Sequence, residues 1–335
     1  MQERRRRRGR GIVIAICGLA FAFVLLFFGL DWLEKQGRKP EIRGDLSARY
    51  ADETVTINGA VYRRRPNLTM VLLLGIDRPA RNADEIDDYH SGGNADFLRL
   101  IVIDHAEKTI SQIQIDRDTI APVTVLNLIG ERTGTRPMQI ALSHSYGDGE
   151  EQSCELTAEA VSRLLLDTPI PYYAALNLDG IAALNDFVGG VTVPIDDDFS
   201  QVDPAMIQGT TLRLTGQQAE YFVRSRADMP IGTNEARMAR QQVYLSRLAD
   251  MIREKMKADP DYAGAVFDAL RPYLVTNMTR SYLADIAYRA RNDERLPLIQ
   301  LPGAHAIGVT GYMEFHPDEE ALSRMITEAF YQPAK

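Results

Sequence analysis

Cysteine is nearly absent from this chain of 335 residues, which has two of them and a single tryptophan. Cys17 lies inside an apolar run and Cys154 stands alone, so no intrachain disulfide is expected and Cys154 reads as a small buried apolar side chain. The five histidines, His90, His105, His144, His305 and His316, are scattered. None neighbours a nucleophile motif, and no Cys/His cluster has zinc spacing, so neither histidine-based catalysis nor a zinc site is expected. No internal repeat of about 20–50 residues is visible, which excludes a solenoid or propeller. No Pro/Gly/Ser linker interrupts residues 67–331, so that stretch reads as one domain. A basic surplus is missing too. The formal charge is −8, and the first ten residues, with six Arg and one Glu, carry +5 of it, which leaves −13 for the rest. So acidic a body lacks the basic face that nucleic acid requires, and no nucleic-acid partner is expected.

What is present begins with residues 11–30, GIVIAICGLAFAFVLLFFGL, 20 residues without a charge. As a helix they span about 30 Å, the thickness of a bilayer core. The Arg cluster before them places the N-terminus in the cytoplasm, and Trp32 suits the far interface. The run is longer than a signal-peptide core and DWLEKQ follows it rather than a small-x-small site, so the span reads as an uncleaved single-pass anchor. The expected organisation is a cytoplasmic arm (1–10), a transmembrane helix (11–30), a polar juxtamembrane stalk with one short strand near 54–58 (31–66), and an extracytoplasmic domain (67–335).

Within that domain, residues 68–76, 97–104 and 109–115 read as strands ending in polar turns. Helical patterns at 155–166, 179–187, 216–223 (capped by Thr215), a long stretch capped by Asn234, 261–273, 281–292 and 317–331 alternate with strands at 172–178, 191–195 and 296–301. Such alternation argues an α/β fold, a helix–sheet–helix sandwich.

The first three strands pose a geometric problem. If they are antiparallel, Asp77, at the end of the first, and Asp96, at the start of the second, share one end of the sheet. The third strand then delivers Asp116-Arg117-Asp118-Thr119 to that same end. The loop between Arg78 and Ala95 is long and rich in Asp and Gly, as functional loops are. Arg224 and Arg226 are two apart, so a shared target needs them at a helix end or on a strand. Arg237 and Gln241 are i, i+4 on the next helix and share a face. Arginine makes bidentate contacts with phosphate oxygens, and paired carboxylates suit a Mg²⁺ that also binds substrate phosphates. Ordinary surface ion pairs and turn-forming Asp account for each of these residues taken alone.

The motifs LLLGIDR (72–78), NADFLRLIVID (94–104), IQIDRDT (113–119), IPYYAALNLDGIAALNDFVGGVTVPI (170–195), LTGQQAEYFVRSR (214–226) and NEARMARQQVYL (234–245) resemble, in this order and spacing, the LytR-CpsA-Psr family of bacterial envelope enzymes. The resemblance implies a mixed central β-sheet flanked by helices. It implies a membrane-anchored transferase that moves a phosphorylated glycopolymer, of teichoic-acid or capsular-polysaccharide type, from a polyprenyl-diphosphate carrier to peptidoglycan. It assigns Asp77 and Asp96 to a Mg²⁺ (or Mn²⁺) held against the diphosphate. Arg117 matches a motif arginine, and Arg224, Arg226, Arg237 and Gln241 match phosphate-binding groups. The general base is left between Asp118 and Asp77. Tyr172, Tyr173 and Phe187 are candidates for lining an apolar slot for the carrier. The sequence departs from the pattern where Asn94 and Phe97 stand in place of the family's Arg and Thr, and where Gln139 lies near a position that is often Lys. A non-catalytic binder of lipid-linked glycans and a polyprenyl-diphosphate hydrolase are the alternative readings.

Overall fold

The computed structural model describes residues 54–57, 59–78, 92–225, 234–259, 262–290 and 293–334. The apolar run at 11–30, the connection 79–91 with His90, and Arg226 lie outside the described residues. Among the described residues no helix is long and apolar enough to cross a membrane.

Six strands form the central sheet, in the order β11-β8-β3-β4-β5-β12. They are β3 (Leu68–Ile76), β4 (Ala95–Asp104), β5 (Thr109–Ile115), β8 (Tyr172–Asn177), β11 (Leu274–Thr276) and β12 (Glu294–Gln300). β3 and β4 pair antiparallel, as do β4 and β5, in agreement with the strand-direction argument. β8 joins β3 and β12 joins β5 in parallel, so the sheet is mixed. Every residue of β3 is buried, which is why its sequence is a continuous apolar run rather than an alternation.

The two faces carry separate cores. Val71, Leu73, Phe97, Ile101 and Ile103 pack with helices α3 (Asp179–Val188), α4 (Gly216–Arg224), α5 (Asn234–Ala258), α6 (Tyr262–Leu270) and α7 (Arg280–Ala290). Leu72, Leu74, Leu98, Leu100 and Val102 pack with α2 (Glu151–Leu164) and α8 (Glu319–Phe330). The short helix α1 (Leu142–Ser145) lies by the start of β4. Thr215 and Gln218 form the capping box that starts α4, and Gly189 in the left-handed region (φ 90°) ends α3.

Four smaller β units surround this frame. The hairpin β6 (Ile120–Leu126)–β7 (Arg132–Gln139) follows β5 directly, and β9 (Thr192–Pro194) pairs with β10 (Thr211–Arg213). A second hairpin, β13 (Gly303–Ile307)–β14 (Met313–Pro317), rises before α8. Residues 54–64, read from sequence as stalk, form β1 (Thr54–Ile57) and β2 (Ala60–Arg64), and β2 pairs with the last strand, β15 (Tyr331–Pro333). Sequence reading missed β7 and β13 because both are solvent-facing and lack inward apolar alternation.

The aromatic slot drawn from Tyr172, Tyr173 and Phe187 does not hold together. Successive strand residues point to opposite faces, so Tyr172 enters one core and Tyr173 the other. Phe187 is 39% exposed, with its ring 5.7 Å from that of Tyr262.

Candidate functional site

Asp77 and Asp96 lie at one end of the sheet, as the strand directions require. β3 and β4 stay in register to Gly75–Phe97, then slip by one residue, so that Ile76 faces Ala95 and Asp96 occupies the bulge. Beyond it the Asp77 amide donates to Asn94 O at 2.9 Å. Gly93 permits this approach: its φ is +74°, and a Cβ there would sit 2.9 Å from Arg78 Cβ. Asp77 Oδ1 and both oxygens of Asp96 are buried.

Arg117 arrives from the turn after β5. Its Nη1 forms an ion pair with Asp96 Oδ1, and its Nε lies 3.4 Å from Asp118 Oδ1, outside hydrogen-bond geometry. The turn is held by the Asp118 amide on Asp116 Oδ1 (2.9 Å) and by the Thr119 hydroxyl on Asp116 O (2.6 Å). Gln139 reaches the same turn, with its Nε2 3.4 Å from Asp118 Oδ1 and 2.6 Å from Met313 O. A neutral amide thus stands beside this cluster.

His144 braces the approach to Asp96. Its Nδ1 is 3.1 Å from Gly93 O, which must accept, so Nδ1 carries the proton and Nε2 faces Cys154 Sγ at 3.9 Å. Burial pulls His144 down to about 4 and pushes the Cys154 thiol up, so both are neutral packing groups.

The remaining basic groups gather where α4 meets α5. Arg224, in the last turn of α4, pairs with Glu220 one turn back. Arg240 Nε donates to Phe222 O and its Nη2 to Ser225 O, while Gln241 Nε2 donates to Val223 O at 3.1 Å. These bonds tie the first turns of α5 to the carbonyls that end α4 and lack a partner within that helix, as helix C-termini require. Arg240 also pairs with Asp197. Arg237, one turn before Gln241, is 1% exposed. Among the described residues no donor reaches the buried Gln241 Oε1.

Two groups of the site were not anticipated from sequence. His305 Nε2, on β13, lies 2.9 Å from Asp116 Oδ2, which brings the C-terminal hairpin against the Asp116–Thr119 turn. Nothing in the sequence around His305 signals this contact. The other is Arg99, three residues after Asp96 on β4, which bonds Gln242 on α5, the neighbour of Gln241, and so joins the two halves of the site. Its signal was available: a lone charge inside the apolar run FLRLIVID.

Oxygen ligands dominate the cluster, and among the described residues no group of three or more His, Cys, Asp and Glu is placed to hold a metal. A cation with two protein carboxylates and the rest of its ligands from phosphate and water is the chemistry that Asp77 and Asp96 fit.

Comparisons with known proteins place the chain. The model of the LytR_cpsA_psr family matches residues 33–330. A Bacillus cereus protein named polyisoprenyl-teichoic acid–peptidoglycan teichoic acid transferase TagU is 26% identical over 252 residues, covering 75% of this chain and 74% of that one. A crystal structure of the protein gbs0355 from Streptococcus agalactiae superposes with a TM-score of 0.63 at 20% identity, over 78% of this chain and 88% of that one. The crystal structure of B. subtilis TagV does so with a TM-score of 0.57 at 20% identity, over 79% and 98%. With the mixed sheet, the strand order and the ordered motifs, these matches show that the chain belongs to the LytR-CpsA-Psr family.

Proposed function

We propose that this chain is a membrane-anchored phosphotransferase that moves a phosphorylated glycopolymer from a polyprenyl-diphosphate carrier to a sugar hydroxyl of peptidoglycan. The reading rests above all on the Arg117–Asp96 pair beside Asp77 and Asp118 at one sheet end. The name of the Bacillus cereus relative supports the same class of reaction. The anchor is residues 11–30, with the N-terminus in the cytoplasm and the catalytic domain outside.

Asp77 and Asp96 would hold Mg²⁺ or Mn²⁺, which supplies positive charge against the diphosphate when bound. Arg117, Arg224, Arg226, Arg237 and Gln241 bind and orient the phosphate oxygens. The acceptor hydroxyl oxygen bonds to the phosphorus next to the first sugar, and the bond from that phosphorus to the carrier phosphate oxygen breaks. The carrier leaves as its monophosphate, and a phosphodiester to peptidoglycan remains. With Asp77 committed to the cation, Asp118 takes the hydroxyl proton. Catalysis here is positioning and electrostatic stabilisation, with no covalent enzyme intermediate.

The test incubates the full-length chain in detergent with a lipid-linked glycopolymer, with and without peptidoglycan, and analyses the products by mass. Acceptor-dependent phosphodiester formation supports transfer. Release of free phosphoryl glycopolymer at equal rate without acceptor means hydrolysis, and an unconsumed carrier means a binder.

A further inference from the structure

Arg99 is an anomaly in the core. It is 2% exposed, in the middle of β4, on the sheet face covered by α5. Its Nε and Nη2 both donate to Gln114 Oε1, at 3.0 and 2.7 Å. Its Nη1 donates to Gln112 Oε1 at 3.1 Å and to Gln242 Oε1 at 2.9 Å. The guanidinium also stands 5.1 Å from the centre of the Phe97 ring. Every acceptor is a neutral amide, and among the described residues no carboxylate pairs with it. Burial alone pulls it down to about 9. Buried Arg240, by contrast, has Asp197, and the partly exposed Arg117 has Asp96.

A buried charge is tolerated when it is paired, and three amides satisfy hydrogen bonds without neutralising it. Replacement of such an arginine by an apolar side chain costs little or is stabilising, so folding alone does not call for it. The glutamines fix the guanidinium rigidly. Gln114 is itself held by donating to Leu98 O at 3.0 Å. Gln242 is only partly buried, so the cluster meets solvent at that side chain. Gln242 adjoins Gln241 in sequence, and Arg99 lies three residues, about 10 Å, along β4 from Asp96.

We propose that Arg99 is a further oxyanion-binding residue of this cleft, preorganised by Gln112, Gln114 and Gln242, which takes a phosphate-class anion in place of the Gln242 amide oxygen. The proposal rests on the phosphate-binding reading of the cleft given above. It adds a cation that the family-like motifs did not assign, and it gives the uncompensated charge its counter-ion.

The test titrates the full-length chain in detergent with inorganic pyrophosphate by calorimetry and follows thermal unfolding by circular dichroism. Three variants are compared with wild type: Arg99→Met, Gln242→Glu and Arg237→Ala. Arg99→Met should bind pyrophosphate about 10- to 100-fold more weakly, the loss of one charge-assisted contact. Without the anion it should melt no lower than wild type. Gln242→Glu supplies a carboxylate in the chain itself, so it should melt higher and lose a similar factor in pyrophosphate affinity. If Arg99→Met does not fold, Gln242→Glu decides alone. Wild-type affinity in Arg99→Met, or in Gln242→Glu, overturns the proposal. Weak binding in Arg237→Ala with full binding in Arg99→Met overturns it while leaving the cleft reading intact. The converse pattern upholds Arg99 and removes the wider reading, and no binding to wild type removes both.

Discussion

Arg117 closes on Asp96 from the turn after β5, pairing with a carboxylate that is wholly buried while the guanidinium side chain keeps 15% exposure. The bulge in β4 turns Asp96 out of the ladder, and the turn after β5 aims Arg117 back at it. One carboxylate is therefore contested: an arginine holds it, and a divalent cation would claim it. A buried ion pair broken on one side strands the other charge, at a cost of roughly 3–5 kcal/mol.

That contest predicts the behaviour of Arg117→Ala. Turnover should fall about 100- to 1000-fold, as for loss of a group stabilising developing charge. The Mg²⁺ midpoint should move to lower concentration, because the competitor for Asp96 is gone. The variant should melt lower without Mg²⁺ and recover with it. Turnover and melting against Mg²⁺ concentration check this, and a midpoint identical to wild type would mean that Asp96 holds no cation.

Asp77→Asn and Asp96→Asn each preserve shape and remove one charge. Both should raise the Mg²⁺ concentration needed for half-maximal turnover. The double substitution should cost less than the two effects added, since one ion is shared. Full activity in excess EDTA would assign these carboxylates another task.

Arg224→Ala and Arg237→Ala test the phosphate contacts proposed at the α4–α5 junction. Each should cost about 2–4 kcal/mol in the transition state, or roughly 30- to 1000-fold in kcat/KM. Arg226→Ala, outside the described residues, is expected from its motif to behave alike. Steady-state kinetics with a lipid-linked substrate measure the loss, and unchanged kcat/KM in all three would move the clamp elsewhere.

His144 should make the fold acid-labile. Burial lowers it from 6.5 to about 4. Above 6.5 it is neutral whether the chain is folded or not, and it contributes no penalty. As pH falls from 6.5 toward 4, the unfolded chain takes a proton that the folded chain refuses, so stability drops by up to about 3 kcal/mol. Urea unfolding across that window should show a shallower slope for His144→Gln. An identical slope would assign the lability to other groups.

Protease added to intact protoplasts should digest the domain that follows residue 66, if residues 11–30 anchor it with the N-terminus inside. Protection of that domain would reverse the orientation.

Much of this arrangement was readable in the residues. The three long strands announce themselves because β3 is apolar throughout, β4 carries the run LRLIVI, and β5 sets Ile at every second position from Ile113. Their directions alone bring Asp77, Asp96 and Arg117 together. Thr215 and Gln218 spelled out the start of α4. The β13–β14 hairpin was not legible, because exposed GAHAI carries no periodicity. The His305–Asp116 contact followed it into obscurity, since 189 positions separate the two and only tertiary packing joins them. Tyr172 and Tyr173 misled for a simpler reason: chemistry suggested one shared lining, and strand alternation forbids it.

The pairing of β15 with β2 has a mechanical side. Tyr331 faces Arg64 and Pro333 faces Tyr62, and the Tyr331 hydroxyl bonds Thr168 Oγ1 at 2.9 Å. Arg65 adds its amide to Phe330 O and its guanidinium to Asp104. A pull from the N-terminal side reaches β1 first, and because β1 runs antiparallel to β2 with Thr54 opposite Arg63, that hairpin opens pair by pair before β2 is loaded against the last strand. The two ends of the described chain are thus stitched into one three-stranded sheet, so loosening the C-terminal strand would release β2 and the start of β3 with it.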